Sequence, residues 1–433
     1  MKQFLKNVLY GCPPLRRSVV RLRDWVETSR YNKRYAERIQ ADKGRILFCA
    51  YSGRQYACSP KALYLYLKGR EEGLKYQFVW ALRDPEQFPE LAAEKDTTVV
   101  RYGSEKFYEE AARCGYWVFN TRVPTCMQKK EDQVYVQTWH GTPFKKLGFD
   151  VEHYISGADD KKSLRRSYAT DAVKYDYLLS PSLYYSEKMS SAFHLKELGK
   201  EGCLLEEGYP RNDRLYTASE EEIAKIRESL GISPGEKVVL YAPTWRENAL
   251  DPKSGSTYGN GIAFHLGLDL KRLLDEVGEN TKVLVRTHYF VSDQIRFSDY
   301  GGRLLDVSRY PDINDLYLAS DVLLTDYSSV LFDYSILERP IVFYMYDLES
   351  YQNVRDFYFP PSRLPGPVVT KEEELYPVLR QALAEGGDLE KIREFNRVFN
   401  PMPGPSSERV WDAIERDKRR IPNRPTDDAA STS

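Results

Sequence analysis

The sequence predicts an α/β protein built from two doubly wound, parallel-sheet domains that face each other across a cleft. Three observations predict it. At 433 residues the chain exceeds one ordinary core and suits two. Short apolar, β-branched runs alternate with helix-like periodicity, which implies parallel strands with helices on both faces. The alternation comes in two sets, broken near residues 208–220 by the segment GYPRNDRL.

Strands of the first set are expected at Arg45–Ala50, Gln77–Ala81, Thr98–Arg101, Tyr116–Asn120, Val134–Thr138 and Tyr177–Ser180. Helices are expected between them at Lys61–Gly69, Glu86–Glu94, Ser104–Cys114 and Leu183–Phe193. The second set has strands at Lys237–Tyr241, Lys282–Arg286, Asp321–Thr325 and Ile341–Phe343. Its helices fall at Glu221–Leu230, Leu270–Glu276, Ile313–Ala319 and Val330–Leu337. Residues 360–367 form a Pro/Gly loop, and 387–418 read as terminal helices. The resulting division is 1–40, a basic start; 41–208, a first domain; 209–390, a second; 391–420, helices that can pack back on the first; and 421–433, a polar tail. Sheets of this type bind ligands at the carboxyl ends of their strands, so the cleft is the place to look for chemistry.

Composition narrows the class. A net charge of −1 gives no general attraction to nucleic acid. Positive charge is local: residues 1–40 hold ten Lys/Arg against three acids. No apolar run is long enough to span a bilayer, and the start is too short in apolar residues for a secretory signal. The six cysteines are scattered, as in a reduced cytosolic protein.

Five segments carry candidate chemistry. Thr138-Trp139-His140-Gly141-Thr142-Pro143 places His140 in a turn at a strand's carboxyl end, with Pro143 able to open a helix. A neutral imidazole there can take a proton from an attacking hydroxyl; it can also merely hydrogen-bond a loop. Lys145 and Lys146 follow within one helical turn, either as contacts or as solvated charges. Arg286-Thr287-His288 repeats the geometry in the second domain, and only five histidines exist in the chain. The other three, His153, His194 and His265, fall in loop or helix context and read as structural.

Leu324–Asp333 (LTDYSSVLFD) ends a strand at Thr325 and starts a helix near Ser328, with Asp326 or Ser328 as N-cap. Free N–H groups there, with the hydroxyls of Ser328 and Ser329, suit a phosphate. An ordinary N-cap is the plain alternative. Thr244 and Arg246 end the first strand of the second domain, and Gly208–Asp213 marks the junction. Arg246 and Arg211 can grip phosphate bidentately or form hinge salt bridges. There is no P-loop.

Taken together, TWHGTPFKKLG, GYPRND, YAPTWRE, RTHYF and NDLYLASDVLLTDYSSVLFDYSILERPIVFY resemble the CDP-glycerol glycerophosphotransferase family, the teichoic acid primases and polymerases and their capsule-synthesis relatives. The likeness runs from about residue 45 to 410. Ser52–Pro60 (SGRQYACSP) resembles the family's G-x-x-Y-x-D-N-P but carries Cys58-Ser59 where Asp-Asn is common. Residues 404–410 blur the closing motif.

The resemblance implies a glycosyltransferase B type fold, two Rossmann-like domains around a cleft. It implies an enzyme that moves glycerol phosphate or ribitol phosphate from a CDP-alditol to a hydroxyl of a prenyl-diphosphate-linked or polymeric acceptor, with CMP leaving. By similarity, His140 is the candidate base and His288 a catalytic partner. Donor contacts are expected from Arg211, Asn212, Thr244, Arg246, Arg286, Thr325, Asp326, Ser328, Ser329 and Asp333. Acceptor contacts are expected from Thr142, Lys145 and Lys146. No cofactor is expected; Asp326 and Asp333 could still position a metal. The basic start suits an anionic cytoplasmic membrane face, at about 1 kcal/mol per Lys/Arg near the surface, or is a solvated charged helix. The rivals are a nucleotide-sugar glycosyltransferase of the same fold and a silent wall-synthesis scaffold.

Overall fold

The computed structural model describes residues 13–70, 76–152, 161–244, 267–287, 295–353 and 355–417. The first sheet contains β1 (Asp42–Cys49), β2 (Gln77–Leu82), β3 (Thr97–Arg101), β4 (Cys114–Phe119), β5 (Val134–Gln137), β6 (Tyr177–Leu179) and β7 (Leu204–Leu205). All are parallel, in the order β3-β2-β1-β4-β5-β6-β7. Its central strands are covered on both faces and therefore read as unbroken apolar runs; every residue of β4 is buried.

The second sheet contains β8 (Lys237–Ala242), β9 (Thr281–Val285), β10 (Leu304–Asp306), β11 (Val322–Thr325), β12 (Ile341–Tyr344) and β13 (Val368–Val369). It too is parallel, in the order β10-β9-β8-β11-β12-β13. Strand order reverses between β1 and β4 in one sheet and between β8 and β11 in the other. Those are the switch points where such sheets leave a crevice for ligands.

Several expectations need adjustment. The expected strands omit β7, β10 and β13, which are edge strands of two or three residues, too short to show a period. The single helix expected over Glu86–Glu94 is a 3₁₀ turn, Pro85–Gln87, and a short helix, Pro89–Ala92. Pro89 cannot donate to the turn before it and splits the element. A helix over Glu372–Glu385 was masked in the sequence by Pro377 at its middle.

The carboxyl-terminal helices cross the boundary between the sheets. Helix Leu389–Phe399 sets Phe395 and Phe399 on Phe332 of the second domain, at ring distances of 5.5 and 5.2 Å. Helix Ser406–Arg416 returns to the first sheet, where Trp411 packs on Tyr76 and Tyr116 at 5.8 and 5.4 Å. The Asp213 carboxylate, at the junction, accepts from the amides of Ser406 and Ser407 at 2.6 and 2.8 Å. The hinge thus caps the returning helix.

Candidate active site

His140 sits just past the carboxyl end of β5. Its Nδ1 lies 2.6 Å from the carbonyl oxygen of Asn120, the residue after β4. A carbonyl can only accept, so Nδ1 carries the proton and Nε2 holds a free lone pair. The ring stacks on Trp139 at 4.5 Å and meets the edge of Tyr51 at 5.8 Å. Burial pushes its pKa down to about 4; the Arg211 and Arg122 cations add to this, and the bond to Asn120 opposes it. The imidazole is therefore neutral at pH 7 and in the state a general base requires.

The backbone around this ring is held in unusual conformations. Tyr51, Ser52, Cys58 and Trp139 all have left-handed φ values, of 50°, 56°, 65° and 49°. Each is costly for a residue with a side chain, and such residues gather where surrounding contacts enforce a functional geometry. Asn120 supplies one of these contacts, its Oδ1 accepting from the Tyr51 amide at 2.7 Å. Asn120 and Tyr51 were missed as site residues. The available signal was a polar residue ending the apolar run of β4.

Across the cleft, β11 ends at Thr325 and a turn leads to the short helix Val330–Tyr334. A Cβ built on Gly141 would lie 3.0 Å from Ser329 Oγ. The His-Gly turn of the first domain and the Ser328–Ser329 turn of the second therefore touch. This juxtaposition of distant motifs defines the site.

Not every expected donor contact faces an open cleft. Thr325 Oγ1 donates to the Ala242 carbonyl at 2.7 Å, pinning β11 to β8. Asp326 does not cap the helix: its Oδ1 accepts from the amides of Thr244 and Tyr327 at 2.8 and 2.5 Å, holding the ends of β8 and β11 together. Ser328 Oγ is 3.5 Å from the Val330 amide, a marginal cap. The helix itself is one turn, continued by a 3₁₀ turn at Ser335–Leu337, so its dipole is small. Arg286 donates to the carbonyls of Val307 and Tyr310, each at 2.9 Å, and so secures the loop after β10.

Arg211, Asn212 and Asp333 form one buried cluster. The Arg211 guanidinium pairs with Asp333, and Asn212 Nδ2 donates to the same carboxylate at 3.0 Å. Arg211 is 8% and Asp333 2% exposed, so their charges are committed to each other. The structure contains the hinge salt bridge that the sequence offered as the alternative for Arg211. His288 and Arg246 lie outside the described residues.

Residues after His140 also depart from expectation. Pro143 opens no helix. Instead the segment runs extended onto the second domain, where Phe144 stacks on Phe357 at 4.6 Å. The Tyr358 amide donates to the Phe144 carbonyl and the Lys146 amide to that of Asp356, both at 2.9 Å. This strand-like pairing satisfies the backbone groups a helix would have satisfied. Lys146 Nζ pairs with Glu152 at 2.7 Å, and Lys145 Nζ is 3.4 Å from Tyr351 Oη. Thr142 is buried, at 2% exposure. These three acceptor candidates thus stand at the domain crossing. Among the described residues, no group of three His, Cys, Asp or Glu side chains is placed to hold a metal ion.

The family model for CDP-glycerol:poly(glycerophosphate) glycerophosphotransferase matches residues 31–416. The chain belongs to this family. It is accordingly an enzyme of the glycerophosphotransferase class. It is 37% identical over 374 residues to a teichoic acid poly(glycerol phosphate) polymerase of Bacillus spizizenii, covering 85% of this chain and 91% of the relative. It is 33% identical to a Staphylococcus aureus teichoic acid glycerol-phosphate transferase, covering 86% and 93%. Against the Bacillus subtilis poly(glycerol phosphate) polymerase it spans half of that protein's length. The solved structure of the wall teichoic acid polymerase TagF superposes with a TM-score of 0.79 at 32% identity, covering 98% of this chain and 99% of that one. A Staphylococcus aureus MnaA–UDP structure, at 14% identity and a TM-score of 0.53, shares the fold alone. Two facing Rossmann-like domains, the glycosyltransferase B arrangement, are thus common to the glycerophosphotransferases and to more distant nucleotide-binding proteins.

Proposed function

We propose that this glycerophosphotransferase moves glycerol phosphate from CDP-glycerol to a terminal hydroxyl of a lipid-linked teichoic acid or capsule acceptor. The observation that carries the reading is His140: a neutral imidazole with its proton fixed on Nδ1, set at the point where the two domains touch. The acceptor oxygen attacks the β-phosphorus and forms the new phosphodiester bond. The P–O bond to CMP breaks, and the hydroxyl proton passes to Nε2 of His140. A diphosphate in the cleft raises the imidazole pKa from its low resting value, making it a better base as the donor arrives. The amides and hydroxyls of Ser328 and Ser329, in the turn that meets the His140–Gly141 turn, are the donors this reading assigns to the phosphate oxygens.

Glycerol is favoured over ribitol by likeness. Glycerol-phosphate polymerases and a glycerol-phosphate transferase match at 33–37% over 85–88% of the chain, whereas a Staphylococcus aureus ribitol-phosphate polymerase matches at 30% over 65% and a Bacillus subtilis glycerol-phosphate primase at 30% over 69%. A TagF structure with CDPG also exists. Purified protein, given CDP-glycerol, CDP-ribitol or a UDP-sugar with a lipid-linked acceptor, is expected to release CMP with CDP-glycerol. Release of UDP from the sugar donor, with no CMP, would overturn the reading.

The amino-terminal helix supports work at a membrane face. No described helix is long and apolar enough to cross a membrane. Helix Pro13–Tyr31 turns Val20, Asp24, Thr28 and Tyr31 toward the body, while Val19, Leu22, Trp25 and Val26 stand 44–67% exposed on its outer side. Exposed Arg21, Arg23 and Arg30 lie on the same helix. An apolar stripe among cations is the pattern of a helix lying in an anionic lipid interface.

A further inference from the structure

We propose that Arg211 is a positioning residue that holds the His140 turn of the first domain in register with the Ser328–Ser329 turn of the second. Arg211 lies on the connection between the sheets, in the 3₁₀ turn Pro210–Asn212. Its backbone and its side chain are each shared between the domains. The amide reaches Ser59 Oγ of the first domain at 3.4 Å, while its carbonyl accepts from Asn314 Nδ2 of the second. Nη1 donates to the carbonyl of His140 at 2.6 Å and stands 3.6 Å from Cys58 Sγ. Nη2 pairs with Asp333. Only a planar, multiply donating cation can hold both ends of this span at once; an ammonium has no such fork.

The inference rests on the reading that His140 takes the proton, and it adds how that residue is held. The groups around the imidazole are Asn120, Tyr51 and Trp139 from its own domain, with Gly141 next to Ser329 of the other. The charged groups are Arg211, Arg122 and, behind Arg211, Asp333. Arg211 is thus both a mechanical link and a cation that disfavours imidazolium.

A hinge salt bridge without this role would matter only to folding. The full chain is compared with Arg211→Gln, Arg211→Lys and Asp333→Asn. The His140 ring resonance, assigned by its loss in His140→Gln, is titrated, and kcat and KM for CDP-glycerol are measured. In Arg211→Gln the His140 midpoint is expected to rise by about one unit. Its kcat is expected to fall about 10²-fold with KM for the donor within about threefold, as misplacement of a reacting group predicts. Arg211→Lys keeps the charge, so the midpoint stays while kcat falls. Asp333→Asn keeps the cation, so the midpoint does not rise. If Arg211→Gln does not fold, the double variant Arg211→Gln/Asp333→Asn removes both charges and is read for the same rise. An unmoved midpoint on loss of the guanidinium, or a loss confined to KM, overturns the proposal. Should His140→Ala retain full activity while the midpoint shifts as stated, the base assignment fails and the link through Arg211 stands.

Discussion

At the scale of single residues, the site depends on how closely two turns approach. Gly141 allows the Ser329 hydroxyl to come within 3.0 Å of the point where a side chain would begin. Gly141→Val is therefore expected to lower transfer by about 10²-fold while leaving the far-ultraviolet circular dichroism unchanged. Transfer within twofold of the parent would show that the contact is incidental. His140 was legible in the sequence because a scarce residue followed a strand and preceded a glycine. Thr325, Asp326 and Arg211 were legible as important but not as to role. Whether a hydroxyl or carboxylate faces a ligand or pins two strands depends on partners far along the chain, such as Ala242 for Thr325 and Asp333 for Arg211. Tyr51 and Asn120 act through backbone geometry, which one sequence does not display.

At the scale of elements, long buried strands announce themselves and short edge strands do not. β1, β4 and β8 each bury at least four consecutive residues, and their runs stand out against any helical period. β7 and β13 have two residues each and are held by neighbours. The extended path after His140 was equally hidden, because it depends on Phe144 finding Phe357. Helix Pro13–Tyr31 presents the opposite case, an element that leaves Val19, Leu22, Trp25 and Val26 facing away from the body. The double variant Leu22→Ser/Trp25→Ser is expected to lose at least about tenfold in partition onto phosphatidylglycerol vesicles, since burial of one such side chain contributes roughly 1.5–3 kcal/mol. Equal partition of variant and parent, at low and at moderate salt, would remove the membrane role for this helix.

At the scale of the molecule, the two sheets are joined at more than the hinge. The segment after His140 crosses to the second domain, and Lys61 of the first pairs with Asp312 of the second at 3.0 Å. The helix at Ser406–Arg416 returns to the first sheet under the cap of Asp213. This closed arrangement brings the His140–Gly141 turn against Ser329 and gathers motifs spread over the chain's length into one candidate site. The two-domain plan was legible from alternation alone, while the alditol and the nucleotide came only from resemblance and comparison. The most direct measurement is single-turnover release of CMP from CDP-glycerol, with a lipid-linked acceptor, by His140→Ala. A fall of at least about 10²-fold, with donor affinity nearly unchanged, is the expected result. Release at the parental rate would contradict the assignment of His140 as the base.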